Sequence, residues 1–318
     1  MGKRLSIEKI RPRNLSEFVG QDKVKDNLRI MLEASKKGGS PMDHILLYGP
    51  PGLGKTTLAH IIARELEVNI KMTSGPAIER VGDLASILTS LSEGDIFFID
   101  EIHRLSKPCE EVLYPAMEEY CIDVVIGKGA GARAIRLSLS PFTVIGSTTR
   151  LSLLGSPLRE RFGAIFRFDF YKEDEIFLIL RRVCEIHGID YEDEALMEVA
   201  RRSRGTPRVG IRLLRRALDF SCVISDGRID KKTLLSAMDK LGVDELGLDD
   251  FDRTLLKVID EKFGGGPVGL DTLSACTGED PDTIMDVYEP YLIKIGFVER
   301  TPKGRVITDR AREYLRGS

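Results

Sequence analysis

The segment GPPGLGKTT at 49–57 constrains this chain more than any other feature. It satisfies the pattern G-x-x-x-x-G-K-[ST] and lies between a short apolar run, HILLYG, and a run with helical spacing, LAHIIARELE. In this context the glycines let backbone N–H groups surround phosphate oxygens at the positive end of the following helix. The sequence therefore predicts an ATP-binding P-loop rather than a glycine-rich turn with a chance lysine.

Residues of this loop have predicted tasks. Lys55 is expected to hold the β- and γ-phosphates, and Thr56 to ligate Mg²⁺. The predicted nucleotide-binding residues of the loop are Gly52, Leu53, Gly54, Lys55, Thr56 and Thr57.

Two neighbouring carboxylates follow the loop at a buried strand. Asp100 ends the apolar run DIFFID at 95–100, and Glu101 comes next. Because the carboxyl ends of parallel strands meet at the sheet edge where phosphates bind, Asp100 is predicted to hold Mg²⁺ and Glu101 to polarise the attacking water. An acidic pair at a strand end is more often a solvated turn, but the upstream P-loop favours the catalytic role.

The order of patterns predicts three domains, as the length of 318 residues allows. The strand-like runs HILLYG, DIFFID and FTVIGS alternate with helical segments over 1–172, which predicts an α/β P-loop domain with a parallel sheet. Residues 173–243 show helical spacing throughout and predict a small all-helical lid domain. Residues 244–318 have helical patterns followed by two strand-like runs, GFVER and GRVIT, which predict a winged-helix domain.

One stretch of the first domain departs from the alternation of strands and helices. At 122–139, IDVVI and RAIRLSL flank the glycine-rich segment GKGAGA. Apolar and polar residues alternate in the second run, which is typical of a strand. We expect a β-hairpin that protrudes from the sheet domain.

Composition narrows the class of protein. Apolar residues make up 42% and charged residues 31% of the chain, no apolar run reaches 18 residues, and the start has no apolar signal-peptide segment. The five cysteines are odd in number and include no C-x-x-C pair, which is typical of reduced thiols. These observations predict a cytoplasmic protein that has no membrane segment.

Arginines in two segments are candidates for neutralising transition-state charge. Arg159 and Arg161 lie in SPLRERFG, and Arg208 lies in RGTPR. An arginine directed at the γ-phosphate can come from the same chain or from a neighbour. The residue types alone leave open whether these arginines do this or are surface charges.

Ten segments across nearly the whole chain carry a resemblance to a known family. They are IRPRNLSEFVGQ, YGPPGLGKTTLAHIIA, FIDEIHRL, IGKG, GSTTR, SPLRERFG, FDFY, RSRGTPR, GGPVGL and RTPKGR. Together they resemble the RuvB family, the AAA+ motor of Holliday junction branch migration. The resemblance implies an ATPase that translocates duplex DNA through a homo-hexameric ring, in recombination, DNA repair and the SOS response.

The resemblance also implies roles for particular residues and partners. It implies a sensor-1 threonine at Thr149, with Thr148 as a second candidate, a finger at Arg161 that acts on a neighbour's ATP, and a sensor-2 arginine at Arg208. The residues implied to frame the adenine are Ile10, Arg11, Pro12 and Tyr171. The 122–139 hairpin would dock on a RuvA-like junction-binding protein, and a RuvC-like resolvase is a further implied partner.

The last 25 residues are basic although the whole chain has a net charge of −3. From 294 to 318 there are seven basic and three acidic residues. Arg300, Lys303 and Arg305 surround the expected tip of the wing, where Gly304 allows close approach to a phosphate. With the resemblance added, we expect largely sequence-independent DNA contacts here rather than a merely solvated surface.

Two other functions fit parts of the pattern. An origin-binding initiator has the same domain order and uses ATP as an assembly switch, but the hairpin and the lack of a base-reading set disfavour it. A nucleotide-gated DNA-binding scaffold would bind ATP with little turnover. The intact Glu101 disfavours the scaffold.

Overall fold

The computed structural model describes residues 7–126 and 133–317 and divides into two compact units. The sheet unit contains the described residues of Arg11–Gly49 and Gly54–Asp169. The helical unit contains the described residues up to Ile10, the P-loop segment Pro50–Leu53 and the described residues from Phe170 onward. The predicted fold class is confirmed, with a parallel P-loop sheet followed by lid helices and a winged helix.

Nine strands are formed by the described residues. In chain order they are β1 Ile45–Tyr48, β2 Ile70–Ser74, β3 Ile96–Asp100, β4 Cys121–Ile126, β5 Arg133–Ser138, β6 Thr143–Thr148, β7 Ala164–Arg167, β8 Val298–Thr301 and β9 Gly304–Ile307. A five-stranded parallel sheet has the order β2-β3-β6-β1-β7.

The three predicted strands of the sheet are its central ones. β1 and β3 consist mostly of buried apolar residues, and β6 is buried along its whole length, which is typical of parallel strands covered on both faces. The edge strands β2 and β7 were not identified from the sequence, because their residues are half-buried or exposed and form no continuous apolar run. Apolar side chains such as Phe97 and Val144 pack with Leu113 in the core of the sheet unit.

Two antiparallel strands form where the β-hairpin is expected. β4 and β5 pair antiparallel, with Ile122 opposite Leu137, and form a sheet of their own. The glycine-rich tip at 127–132 lies outside the described residues. Ile135 and Leu137 expose about two fifths of their surface, at 43% and 39%.

The helices before the lid lie before or between the sheet strands in the sequence. They are α1 Ile7–Ile10, α2 Asp22–Gly38, α3 Lys55–Leu66, α4 Val81–Thr89, α5 Lys107–Glu118 and α6 Ser156–Arg159. The lid contains α7 Glu173–His187, α8 Asp193–Arg202, α9 Pro207–Ile224 and α10 Lys231–Lys240. Gly188, in the left-handed region with φ 56°, ends α7, and Pro207 begins α9, as their sequence signals predict.

The winged helix follows the lid. Its helices are α11 Asp250–Lys257, which continues as a π-helical turn over Val258–Lys262, α12 Leu270–Thr277, α13 Pro281–Thr283, α14 Glu289–Lys294 and α15 Asp309–Gly317. The predicted wing is β8 and β9, which pair antiparallel with Arg300 opposite Arg305. Leu256, Leu292 and Phe297 are among the buried side chains of its core.

Candidate nucleotide site

The P-loop leaves β1 and enters α3 through backbone angles that favour glycine. Gly49, Gly52 and Gly54 have φ of 139°, 81° and 101°. A Cβ at Gly49 would lie 2.5 Å from the Phe168 carbonyl oxygen, and the Gly49 amide donates to the Thr148 carbonyl of β6 at 3.2 Å. The hydrogen bond from Gly49 thus ties the start of the loop to the neighbouring strand β6.

Lys55 is the first residue of α3 and is buried at 7% exposure. Its Nζ donates to the Gly49 carbonyl at 2.7 Å, so the side chain folds back along the loop. Thr56 and Thr57 follow in the first turn of the helix and are half-buried. A buried ammonium group at a helix N-terminus is suited to an anionic ligand, because both the charge and the helix dipole attract phosphate.

Asp100 lies at the carboxyl end of β3, beside the end of β6. Ile99 pairs with Gly146, so the next residues along the two strands are Asp100 and Ser147. The Ser147 hydroxyl donates to Asp100 Oδ1 at 2.6 Å. This hydrogen bond fixes the carboxylate at the sheet edge. Ser147 was not among the predicted site residues. Its place in GSTTR, one residue before Thr148, is a signal that could have identified it, because strand register sets it beside Asp100.

Glu101 adopts a left-handed backbone conformation, with φ 47°. This conformation is uncommon for a residue with a side chain and occurs at functional sites. Glu101 Oε2 accepts a hydrogen bond from Thr149 Oγ1 at 3.2 Å and lies 3.3 Å from His103 Nδ1. The predicted sensor Thr149 therefore lies beside the predicted water-polarising carboxylate.

His103 links this carboxylate to the end of β6. Its side chain is 5% exposed, and its Nδ1 lies 2.8 Å from Thr148 Oγ1. Thr148 is buried and contacts His103. Thr149 donates its hydrogen bond to Glu101 directly. Of the two candidate threonines, the geometry brings Thr149 to the carboxylate.

Arg161 lies in the sheet unit after α6 and has three neighbours there. Its guanidinium stacks 4.4 Å from the centroid of the Tyr114 ring, Nε lies 3.3 Å from Glu118 Oε1, and Nη1 donates to the Pro157 carbonyl at 2.5 Å. The side chain is 22% exposed. Tyr114 and Glu118 belong to α5, and no sequence signal connected them with Arg161.

The helical unit holds other predicted nucleotide-binding residues. Tyr171 is buried, and its hydroxyl donates to the Leu53 carbonyl at 3.0 Å. The Arg208 amide donates to the Gly52 carbonyl at 3.4 Å, while the Arg208 residue is exposed. Ile10 ends the short helix α1, which packs against α7.

Arg11 and Pro12 are half-buried residues of the sheet unit. Burial and then the charges of Arg11 and Arg64 lower the pKa of His60, a residue of α3. The contacts of Arg11 and Pro12 with adenine stay predictions.

Comparison with known proteins identifies the family. The profile described as Holliday junction DNA helicase RuvB P-loop domain matches residues 10–168, the RuvB AAA lid domain matches 171–244, and the RuvB C-terminal winged helix domain matches 245–316. The Holliday junction branch migration complex subunit RuvB of Dehalococcoides mccartyi is 57% identical over 306 residues, which are 96% of this chain and 88% of the relative. The chain belongs to the RuvB family.

Solved structures of the RuvB family agree with this result. The Thermotoga maritima RuvB Holliday junction branch migration motor is 49% identical with a TM-score of 0.89, over 97% of this chain and 98% of that chain. A mutant of that protein is 49% identical with a TM-score of 0.90, over 96% and 98%. The RuvB-family chain is therefore an ATP hydrolase of the P-loop class, and the motor interpretation is supported over the initiator and scaffold alternatives.

The residues of this RuvB-family chain fit magnesium held mainly by its nucleotide. Within 7–126 and 133–317 there is no group of three or more His, Cys, Asp or Glu that could hold a metal ion. A hydroxyl from Thr56 and one carboxylate from Asp100 suit Mg²⁺, which keeps waters and takes its other ligands from phosphate. No described helix is long and apolar enough to span a bilayer.

The basic wing of this RuvB-family chain differs from its prediction in one respect. Arg300 and Arg305 both pair with Glu289 of α14: Arg305 Nε lies 2.9 Å from Oε1, and Arg300 Nε lies 3.2 Å from the same atom. The side chains of Glu289 and Arg305 are 3% and 13% exposed, whereas that of Arg300 is 50% exposed. Lys303 is exposed at the turn.

Glu289 was not predicted as the partner of the wing arginines. A signal was present, because Glu289 is an isolated charge in the otherwise apolar and aromatic run VYEPYLI. A carboxylate in such a run is rarely buried without a cation beside it.

Proposed function

We propose that this chain is the ATP-driven motor that moves duplex DNA to migrate Holliday junctions, acting as a homo-hexameric ring in recombination and DNA repair. The observation that carries the proposal is the sheet edge where Lys55, Asp100 and Glu101 follow parallel strands of a RuvB P-loop domain that is joined to a winged helix. A motor needs both hydrolysis and a DNA-binding domain in one chain, and both are present.

The chemistry proposed for the sheet edge follows phosphoryl transfer. Bound ATP with Mg²⁺ supplies the reacting phosphate and the cation that neutralises charge on its oxygens. Lys55 binds phosphate, and Thr56 and Asp100 would hold the metal, with Ser147 fixing the Asp100 carboxylate. Glu101 takes the role of orienting water and accepting its proton, while Thr149 and His103 hold its carboxylate in place.

We assign Arg161 as the finger that completes a neighbour's site in the ring. Its stack on Tyr114 and its pairing with Glu118 anchor a planar cation on the surface of the sheet unit. A shared site makes assembly necessary for turnover. Arg208 is assigned as the sensor of the γ-phosphate from the lid, and Ile10, Arg11, Pro12 and Tyr171 as the residues around the adenine.

We propose that the winged helix binds DNA phosphates without reading sequence. Exposed Lys303 at the wing turn is best placed for this contact, and Arg300 keeps half of its side chain exposed while it pairs with Glu289. Arg305 has less surface for DNA, because its side chain is mostly buried against the same carboxylate. Its predicted phosphate contact is the least supported of the three.

The hairpin formed by β4 and β5 is proposed to dock on a RuvA-like junction-binding protein. Exposed apolar side chains of Ile135 and Leu137 support this assignment, because such residues on a protruding element are typical of a partner surface. A RuvC-like resolvase is proposed as a further partner, and the cytoplasm and the SOS response as the setting. We also propose domain boundaries at 1–172, 173–243 and 244–318.

A strand-exchange assay on a synthetic Holliday junction tests the proposed function. The parent chain, supplied with a RuvA-like protein, should convert the junction into duplex products only when ATP and Mg²⁺ are present. Glu101→Gln should bind ATP yet produce no duplex product. ATP hydrolysis by the parent without junction conversion would contradict the motor function and leave the ATPase assignment in place.

A further inference from the structure

The lid and the winged helix belong to the same compact unit, although the sequence predicts a domain boundary between them. Arg202 Nη1, at the end of α8, donates to the Asp244 carbonyl at 3.0 Å. A Cβ at Gly247 would overlap the Arg202 carbonyl oxygen, so the two segments touch backbone to backbone. The Tyr291 hydroxyl of α14 donates to the Leu246 carbonyl at 2.7 Å.

Arg204 is the main polar contact of this joint. It is 7% exposed and has a left-handed φ of 57°, which is uncommon for an arginine. Its Nε donates to the Gly247 carbonyl at 2.7 Å, Nη1 to Asp252 Oδ1 at 3.3 Å and Nη2 to Asp249 Oδ2 at 3.1 Å. One lid side chain therefore contacts both the connecting segment and the start of α11.

The carboxylate opposite Arg204 is completely buried. Asp252 is 0% exposed, and burial raises its pKa to about 7, with Arg204 lowering that pKa and Asp249 raising it. A buried ion pair is weak evidence for stability, since the cost of removing two charges from water offsets much of their attraction. Its directional bonds, in contrast, connect the lid to Gly247, Asp249 and Asp252 at the same time and so favour one alignment of these elements.

The same short segment contacts the P-loop residues of the helical unit. The Tyr171 amide donates to the Gly205 carbonyl at 2.9 Å, and the Tyr171 hydroxyl donates to the Leu53 carbonyl. A Cβ at Gly52 would lie 2.8 Å from Thr206 Cγ2 and 2.9 Å from Arg208 Cβ. Residues 204–208 therefore touch the P-loop segment at one end and the winged helix at the other.

We propose that Arg204 is a positioning residue that makes the lid and the winged helix move as one body, so that the nucleotide bound at the P-loop changes the affinity of the winged helix for DNA. The inference rests on the proposed function. Arg204 acts through its neighbours and touches neither nucleotide nor DNA. Such coupling is a difference in DNA affinity between nucleotide states, and it is lost when the connection between the two sites becomes flexible.

The test uses the full chain with Arg204→Met and Asp252→Asn together. Methionine keeps most of the arginine's length, and asparagine keeps an acceptor for the Asp249 amide, which now donates to Asp252 Oδ2 at 2.9 Å. The double variant thus removes both buried charges without leaving either unpaired. Arg201→Met is the matched control, because Arg201, near the end of α8, pairs with Glu198 and Glu173, both in the lid.

Affinity for a labelled duplex is measured by fluorescence anisotropy with a non-hydrolysable ATP analogue and with ADP. The parent and Arg201→Met should show a difference between the two nucleotides of about 5- to 150-fold, the usual range of such coupling. In the double variant the ratio of the two affinities should approach one, while DNA-independent ATP turnover stays at the parent level. A parent-like ratio, or an equal loss of affinity in both nucleotide states, overturns the inference.

A second measurement does not depend on the folding of that variant. Spin labels are placed on exposed Cys222 in the lid and on Glu261→Cys in the winged helix, in a chain that also carries Cys276→Ser. The distance between the labels should be the same with the ATP analogue and with ADP, because the joint is fixed. A distance that changes with the nucleotide overturns the inference.

These outcomes separate the inference from the proposed function. A parent chain that migrates junctions but shows equal DNA affinity in both nucleotide states retains its function and overturns the role of Arg204. A parent chain that fails to migrate junctions overturns the proposed function itself, whatever the label distances show.

Discussion

The carboxyl edge of the parallel sheet and the basic wing both contain several charged residues, but the two regions differ in where the folded chain places those charges. At the sheet edge, Asp100 ends β3, and the next residue, Glu101, accepts a hydrogen bond from Thr149. On the wing, Arg305 turns from the expected DNA surface toward buried Glu289. Charge at the end of a parallel strand has its location set by the backbone, whereas charge on a long flexible side chain does not.

The physical difference is the number of free torsions between backbone and charge. Asp100 is held by strand register within one hydrogen bond of Ser147, so its carboxylate has little choice of position. Arg300 and Arg305 have long aliphatic stems, so their guanidinium groups extend to α14. There they pair with Glu289, whose buried carboxylate needs a cation beside it. A local excess of basic residues therefore overestimates the charge available to DNA.

The largest effect of a single substitution is expected at Arg161, which we assign to the sheet edge of a neighbouring subunit. Arg161→Ala should fold and bind ATP but lower turnover by about 10³ to 10⁵, because the variant has no planar cation for the neighbour's γ-phosphate. Steady-state ATP hydrolysis at saturating ATP measures this effect. Mixing Arg161→Ala with Lys55→Ala subunits should restore some activity, since an interface with an intact P-loop and an intact finger is regenerated.

Mixing also separates two ways in which this prediction can fail. Mixed rings that form but never regain activity indicate that Arg161 acts within its own subunit or that every site in a ring must be intact. Titrating Arg161→Ala into the parent chain distinguishes these cases. A linear fall of activity with mutant fraction indicates action within the subunit, and a steep fall indicates a ring that needs all its sites.

Glu101→Gln should have the next largest effect. The amide cannot accept the proton of the attacking water, so turnover should fall by about 10² to 10⁴ while ATP affinity is retained. Lys55→Ala should weaken nucleotide binding as well, because it removes a phosphate ligand. Glu93→Gln is the matched control, an exposed carboxylate before the opposite end of β3. Equal turnover by Glu101→Gln and the parent would remove Glu101 from its role.

The wing should respond in stability where the sheet edge responds in turnover. Arg305→Ala leaves Glu289 with Arg300 as its remaining partner, so the winged helix should lose no more than the roughly 3–5 kcal/mol that follows breaking a buried ion pair. Denaturant unfolding followed by tyrosine fluorescence of the full chain measures the loss. An unchanged unfolding curve with weakened DNA binding would instead make Arg305 a phosphate contact, as the sequence alone predicted.

Lys303→Ala should give the smallest effect and the clearest sign of DNA contact. Because Lys303 is exposed, its removal should leave stability unchanged and flatten the salt dependence of duplex binding by about one unit of slope. The binding constant is measured at several salt concentrations for two unrelated duplex sequences. Lys232→Ala, an exposed lysine of α10 in the lid, is the control. A slope equal to that of the control would show that the wing turn is only a solvated surface.

The sequence by itself determined the fold class, the family and the backbone of the nucleotide site. These features depend on the spacing of residues that are close in sequence. They are the glycines of the P-loop, the buried runs of β1, β3 and β6, and the acidic end of β3. The edge strands β2 and β7 escaped because exposure weakens the apolar pattern on which strand prediction depends.

Only the tertiary structure decided which charges meet. The charged groups contact residues that are distant in sequence. Asp100 contacts Ser147, Arg161 contacts Tyr114 and Glu118, and the wing arginines contact Glu289. The partner of Arg204 in the RSRGTPR motif was equally hidden, because Asp252 is 48 residues away and its burial depends on how the winged helix packs against the lid. The sequence gives the charge of a side chain. Its partner depends on which surfaces are buried against each other in the folded chain.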